Sequence, residues 1–486
     1  MIRLVTVEGQ QELLVPSELS LELQNPSFGG TDVIPGVASL PLGLPWAREN
    51  LRALNFPDRY RGPGGPPPVA VDCYLDQVRW RRGKLVFLSL DEPGQLLQVQ
   101  FVADAADLAA QLKDVKLDAL DLGTAPLDRT GQSTDYALLP VRNATFFGDA
   151  AKAPAGYAGY LNYVPAGSGA VPAGAPVAPQ PYLLPILRKV LASVGYALTG
   201  AWAQLPEVAQ LVLYSDRLCV DASTVTLNRH VPSVNVVDLL LDVAGYFCLQ
   251  SWFNPLTREA RFTPLRDVVT QAAASQRPRA GRRQTTTANT TTGFTLSLEP
   301  DANDELDKTL DTSWQKLVVG QGGEAQAFKM GTLHQVTVAE GSRTWLVPAY
   351  EGKGAVPGNA DVGDESRVGL RLLVHRGWQP DSAGNLYPLG SAGTTNQHGA
   401  VVGSLDLRLS GEQGLGAQWH QAWLAFRARA VQHTYECPLT VADLLTLDPS
   451  QADMVDYHLC LWEKLSLTVT ANAPLSTATF TYQELL

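Results

Sequence analysis

Residues 164–181 read VPAGSGAVPAGAPVAPQP, and no other stretch constrains the fold of this chain as much. Proline removes backbone donors and fixes φ, glycine adds conformational freedom, and the few apolar side chains are small. Such a segment cannot build a core by itself and is expected to run as an extended connector. It interrupts a chain of 486 residues, a length that suggests two to four domains.

On its N-terminal side the pattern is mostly of period two. Leu19, Leu21 and Leu23 alternate with Ser20, Glu22 and Gln24, which predicts a strand with one inward face, ended by Asn25-Pro26. Trp46 to Leu54 predicts a short amphipathic helix closed at Phe56-Pro57. Residues 69–102 read as further strands, with Arg81-Arg82-Gly83-Lys84 as a hairpin turn.

Beyond the connector the period lengthens. Leu183, Leu184, Leu187, Val190, Leu191 and Val194 recur at helical spacing and stop at Gly195, and a second helix is expected from Val236 to Phe247. Glu259 to Pro264 reads as a strand, and Gln276 to Gly293 as an exposed polar loop. Trp419, Trp423 and Phe426 form the buried face of a late helix. A strand alternating Val431, His433, Tyr435 and Cys437 follows, then a Thr440/Asp443 capping box opening a helix to Leu447, then a strand through Leu465, Leu467 and Val469.

The expected fold class is α+β, mainly β, as several small β-barrel or β-sandwich domains with short helical segments. The expected partition is an N-terminal β domain with a helical excursion over 1–140, a Pro/Ala/Gly-rich connector over 141–180 and an α+β middle domain over 181–272. A polar basic loop over 273–294 then leads into a β-rich C-terminal domain over 295–486, with helices near 415–447.

Composition narrows the chemistry. Only 17% of residues are charged and the net charge is -11, which argues against a nucleic-acid grip. No run approaches eighteen apolar residues, and Glu8 arrives before any export-signal core forms, so a soluble chain without a Sec-type signal is expected. The five cysteines have no C-x-x-C spacing and read as reduced, mostly buried thiols.

No phosphate loop and no H-E-x-x-H occurs. Gly167-Ser168-Gly169 has the wrong spacing for a nucleophile elbow. His420, His433 and His458 lie in one compact sequence region, but a helix followed by a strand gives no reason for them to converge, and packing is the favoured reading. Paired carboxylates of the glycosidase kind carry no motif, and among 48 acids most pairs are simply solvated. No catalytic, cofactor-binding or metal-binding residue is therefore assigned, and no cofactor is expected. Arg277, Arg279, Arg282 and Arg283 lack the interleaved aromatics of a single-strand binder and read as a solvated or partner-facing loop.

A resemblance adds to this. Leu19 to Phe28 with its N-P-x-F end (Asn25, Pro26, Phe28), then Leu40-Pro41, Asn50-Leu51-Arg52 and the F-P-x-R exit at Phe56, Pro57 and Arg59, resemble the start of a family of bacteriophage and prophage tail structural proteins. Pro181-Tyr182 to Gly195-Tyr196, Leu211 to Ser215, Asn228 to Pro232 and the stretch Trp419 to Leu447 with its A-D-L-L-x-L-D helix are similar to its middle and end. The resemblance implies a non-enzymatic virion protein of the tail tip, similar to the central baseplate hub. It implies a homo-oligomer, a trimer around the tail axis, contacting distal-tail or tube proteins and tail-tip or fibre proteins. The lumen would pass DNA or a tape-measure protein, and assembly would occur in the host cytoplasm. A hexameric distal-tail ring, or a tail protein that binds or cleaves host glycans, is the alternative.

Overall fold

The computed structural model describes residues 2–15, 18–29, 37–39, 41–60, 62, 65–103, 111–148, 153–221, 223–255, 257–273, 275–279, 285–288, 291, 293–321, 323–358, 363–470 and 477–485. The chain is α+β and mainly β. It divides into two compact units: residues 1–111, 250–290 and 425–486 form the first, and residues 112–249 and 291–424 the second.

Among the described residues, besides the strand Glu259–Pro264 and most of Leu249–Asn254, the first unit holds one sheet of fourteen strands. In chain order these are β1 (Ile2–Thr6), β2 (Glu12–Leu13), β3 (Glu18–Gln24), β4 (Val37–Ser39), β5 (Leu42–Pro45), β6 (Val69–Leu75), β7 (Val78–Asp91), β8 (Leu96–Ala103), β9 (Ser275–Gln276), β10 (Thr285–Ala288), β11 (Val431–Pro438), β12 (Asp453–Val455), β13 (His458–Thr470) and β14 (Thr477–Glu484). The spatial order is β2-β1-β6-β7-β8-β4-β3-β13-β14-β11-β10, with β5 on β8, β12 on β13 and β9 on β12. β2 and β10 end the path without pairing each other. Among the described residues no sheet closes on itself, so open sheets replace the expected barrels.

Strands distant in sequence are brought together by matching apolar faces. The predicted alternation of β3 is observed, with Leu19, Leu21 and Leu23 buried. Antiparallel pairing sets Leu21 opposite Leu467 and Leu23 opposite Leu465 on β13. These side chains share a core with Val71, Trp80, Phe101, Tyr435, Cys460 and Phe480, in which each fully buried leucine, valine or phenylalanine contributes about 1.5–3 kcal/mol.

The turn expected at Arg81 to Lys84 is instead the middle of β7. The chain reverses at Asp76-Gln77, where both residues have positive φ, the geometry of a two-residue hairpin loop. Gly83 serves close approach: a Cβ there would lie 2.4 Å from the Val102 carbonyl oxygen and 2.8 Å from the Phe101 ring.

The second unit is assembled from small sheets. One orders Tyr160–Leu161, Val141–Arg142, Arg343–Ala349 and His334–Glu340; another centres on Arg371–Pro380, flanked by Leu211–Leu213, Gly331–Thr332 and Leu386–Ser391. The helix Leu183–Ser193 buries Leu183, Leu184, Ile186, Leu187, Val190 and Leu191, and Gly195, at φ 76°, lets the chain leave it. The second expected helix spans Val236–Tyr246.

The Pro/Ala/Gly stretch packs into this unit rather than running free. Val164, Val171, Val177 and Ala178 are buried, and its few donors and acceptors are used: Val171 N donates to Arg129 O (3.0 Å) and Cys219 N to Val177 O (2.8 Å). With so few N–H groups to satisfy, a proline-rich segment packs without a ladder.

Candidate functional site

The residues that carry the family-like motif in the first unit bind their own backbone. Asn25 is fully buried where β3 ends. Its amide donates to the carbonyls of Pro449 (2.9 Å) and Trp462 (2.8 Å), while its Oδ1 accepts from Ser27 N (3.0 Å) and Gln250 Nε2 (3.2 Å). Four segments of the first unit are thus tied at one side chain. Pro26 opens a 3-10 turn, Pro26–Phe28, and Phe28 meets Phe426 edge-on at 6.3 Å. Phe56 takes a left-handed conformation (φ 53°) before buried Pro57, and the Arg59 guanidinium lies 5.2 Å from its ring centre. Asn50 is a second latch, accepting from Leu14 N (2.8 Å) and donating to Leu14 O and Pro45 O.

The basic cluster is partly consumed by internal pairs. Arg277 is largely buried, with Nε 2.6 Å from Asp453 Oδ2, and Arg279 Nη1 lies 3.1 Å from Asp456 Oδ2. Burial works against the Arg277 cation, but Asp453 outweighs it and raises its pKa. Asp453 also accepts from Tyr482 Oη (3.1 Å) and from Ser275 Oγ. Arg282 and Arg283 lie outside the described residues.

Next to this network the apolar face of the sheet ends in ionisable groups. Successive inward residues are Tyr435 then His433 on β11, Cys460 then His458 on β13, and Phe480, Tyr482 then Glu484 on β14. Pairing sets His433 opposite Tyr482 and Cys460 opposite Glu484, so the three strands deliver His433, His458 and Glu484 to one corner. His433 Nε2 lies 2.8 Å from Glu484 Oε2 and His458 Nδ1 2.5 Å from Glu484 Oε1. The two rings are 5.4 Å apart. Thr286 Oγ1 on β10 lies 3.2 Å from His433 Nδ1. Burial pushes the Glu484 carboxyl up, but the hydrogen bonds from His433 and His458 overcome it and hold its pKa below the usual value.

Of the three histidines grouped in sequence, His433 and His458 converge. His420 belongs to the second unit, buried with Nε2 3.1 Å from Tyr246 O, and burial pulls its pKa down to about 4. Glu484 went unnoticed in the sequence, although it continues the Phe480, Tyr482 alternation toward a strand end.

The second unit carries a cleft of about 360 Å³ lined by Asp238, Asp242, Glu299, Asp301, Lys329 and Arg371 among others. Burial raises the Asp242 pKa to about 6 against the pull of Lys329. Asp301 is committed to structure, accepting from Asn303 N (2.9 Å) and Gly369 N (3.0 Å). No lining residue is aromatic, so the cleft offers no stacking platform for a sugar ring.

No protein-family model and no curated protein matches the sequence. Among solved structures, the chain is similar over 99% of its length to the 43 kDa tail protein of prophage MuSo2 from Shewanella oneidensis, with 8% identity, 97% of that chain covered and a TM-score of 0.38. It is likewise similar, over 99% of its length, to the tail protein from Neisseria meningitidis MC58, with 8% identity, 96% of that chain covered and a TM-score of 0.39.

Proposed function

We propose that this chain is a structural subunit of a phage tail tip, a hub-like protein that joins the tail tube to the tip and surrounds the channel for genome passage. The observation that carries this reading is the use made of the tail-protein-like motif. Asn25 is committed on both its amide and its carbonyl oxygen to holding its own chain, and the neighbouring Pro26 and Phe28 serve the same corner. Motifs that fix backbone rather than present chemistry suit a part whose work is mechanical.

A charged fraction of only 17% supports the same reading, because subunit contacts bury side-chain area and unpaired charges are costly to desolvate. In this reading three copies surround the tail axis, with distal-tail or tube proteins on one side and tip or fibre proteins on the other. DNA or a tape-measure protein passes through the lumen. Assembly takes place in the host cytoplasm and the protein ends in the virion tail.

The test is to locate a tagged chain in purified particles by electron microscopy and to count copies by mass. Three copies at the tip are expected. Six copies in a ring would identify a distal-tail ring instead, and release of sugars from host surface glycan by the purified chain would identify a carbohydrate-active tail protein. Absence from the particle would overturn the reading.

A further inference from the structure

The corner of the first unit where β11, β13 and β14 end has the composition of a transition-metal site. We propose that His433, His458 and Glu484 bind one divalent cation of the zinc class, independently of the tail reading. The potential ligand atoms of all three residues lie within 4.8 Å of one another. Two imidazole nitrogens and one carboxylate oxygen form a donor set that zinc accepts, with a fourth position left for water.

The surroundings fit. His433 is only 2% exposed in its side chain, and Thr286 Oγ1 stands 3.2 Å from its Nδ1. A threonine hydroxyl that accepts from Nδ1–H fixes the ring and leaves Nε2, on the Glu484 side, unprotonated and able to coordinate. Without a cation, that nitrogen's lone pair would face a carboxylate oxygen 2.8 Å away; the arrangement then needs the opposite tautomer, with Nε2–H donating to Glu484 and Thr286 donating to Nδ1.

Metal bonds of about 2.0–2.2 Å in a tetrahedral site put neighbouring ligand atoms roughly 3.3 Å apart. The Glu484 oxygens, now 2.8 and 2.5 Å from the two nitrogens, would need to withdraw by about 0.5 to 0.8 Å to admit the ion. The His458 side chain is 33% exposed and provides both the adjustable ligand and the path from solvent. The ion would bind to the folded ladder, because the ligands are 26 and 51 residues apart from Glu484 and meet only through strand register.

The experiment uses the full chain without a histidine tag, stripped with a chelator and dialysed. Zn²⁺ is titrated by calorimetry, bound metal is counted by elemental analysis, and Co²⁺ spectra report the ligand type. The expected result is one Zn²⁺ per chain, a Co²⁺ spectrum without thiolate charge transfer, and a rise of about 3 °C or more in the melting of the first unit at saturating metal. His458→Ala and Glu484→Gln each weaken binding at least tenfold. Both positions are partly exposed, and each variant's fold is checked by hydrogen exchange in 1–111; His433→Gln serves as a third probe. No stoichiometric binding, binding unchanged in both variants, or a thiolate signature would overturn the proposal and leave the trio as a hydrogen-bonded structural cluster.

Discussion

Among the described residues the first unit satisfies most of its backbone through one ladder of fourteen strands, with Asn25 and Asn50 latching segments beside it, whereas the second uses sheets of two to four strands and draws on more buried polar side chains where ladders stop. In the second unit Asn162 donates to Leu139 O and Ala178 O and accepts from Ala178 N, and Gln180 pairs with both backbone groups of Leu139. Buried Asp216 accepts from Arg367 N and Ser366 Oγ. A long sheet lets apolar contacts dominate stability. Short sheets leave N–H and C=O groups that only side chains can reach, and each becomes a point of failure.

The sharpest way to break this contrast is Asn162→Ala. Asn162 is fully buried at φ 52°, so alanine removes three hydrogen bonds and occupies a strained backbone. A loss of about 4 kcal/mol is expected, seen as faster hydrogen exchange within 112–249 in a urea series. A loss below about 1 kcal/mol would show that the polar latches are incidental.

The counterpart in the first unit is apolar. Leu21→Ala empties a fully buried position opposite Leu467 and should cost about 3 kcal/mol, with exchange rising across 1–111 and 425–486. If Leu21→Ala disturbed the second unit equally, the two regions would not be energetically separate.

The pH response sharpens the contrast on a smaller scale. In the second unit burial holds His420 and His230 down to about 4, so the folded state binds fewer protons than the unfolded one below the ordinary histidine range. Their contribution is present above pH 6.5 and is lost as pH falls toward 4. Burial raises Asp304 and Asp242 to about 6, so the folded state binds more protons there, and stability falls as pH rises from about 3.8 through 6. The two effects oppose each other between pH 4 and 6.5.

Asp304→Asn keeps an oxygen acceptor for Glu351 N and Leu306 N but removes the buried charge. It should stabilise the second unit by about 1–2 kcal/mol at pH 8 and steepen its loss of stability in acid. Urea midpoints at pH 8 and 5 check both; a destabilised variant at pH 8 would show that the buried Asp304 carboxylate is a net gain to the fold and not a cost. The smallest effect belongs to the Arg3–Glu12 pair at 2.9 Å, which is exposed. Arg3→Ala should shift thermal unfolding of the first unit by less than about 1 kcal/mol equivalent, and that shift should vanish in high salt.

Local structure was legible wherever a pattern closed within a few residues. The β3 alternation, the helix stopped at Gly195, the second helix from Val236 and the Thr440/Asp443 capping box all appear where the residues place them. Long-range pairing was not legible. Gly83 reads as a turn residue until β8 is known to press against it, and the hairpin at Asp76-Gln77 carries no glycine to announce it. The Pro/Ala/Gly stretch is compositionally a linker, but its valines find partners supplied by residues far away in sequence.

The same limit applies to the candidate metal ligands. His433 was visible on an alternating strand, but its meeting with His458 and Glu484 depends on which strands pair and in what register. In the basic cluster, charge was legible and its destination was not: Arg277 answers to Asp453, a residue on a strand of only three residues.

The pairing of β3 with β13 also sets a schedule for biosynthesis. Ser20 meets Thr468 across 448 residues, and at about 5–20 residues per second a ribosome needs roughly 20–90 s to cover that distance. Throughout that interval the nascent β3 has no β13 to complete it, and its apolar side chains await cover. Expression at lower temperature, or with a holding chaperone, should therefore improve the soluble yield of the intact polypeptide more than strengthening its promoter would.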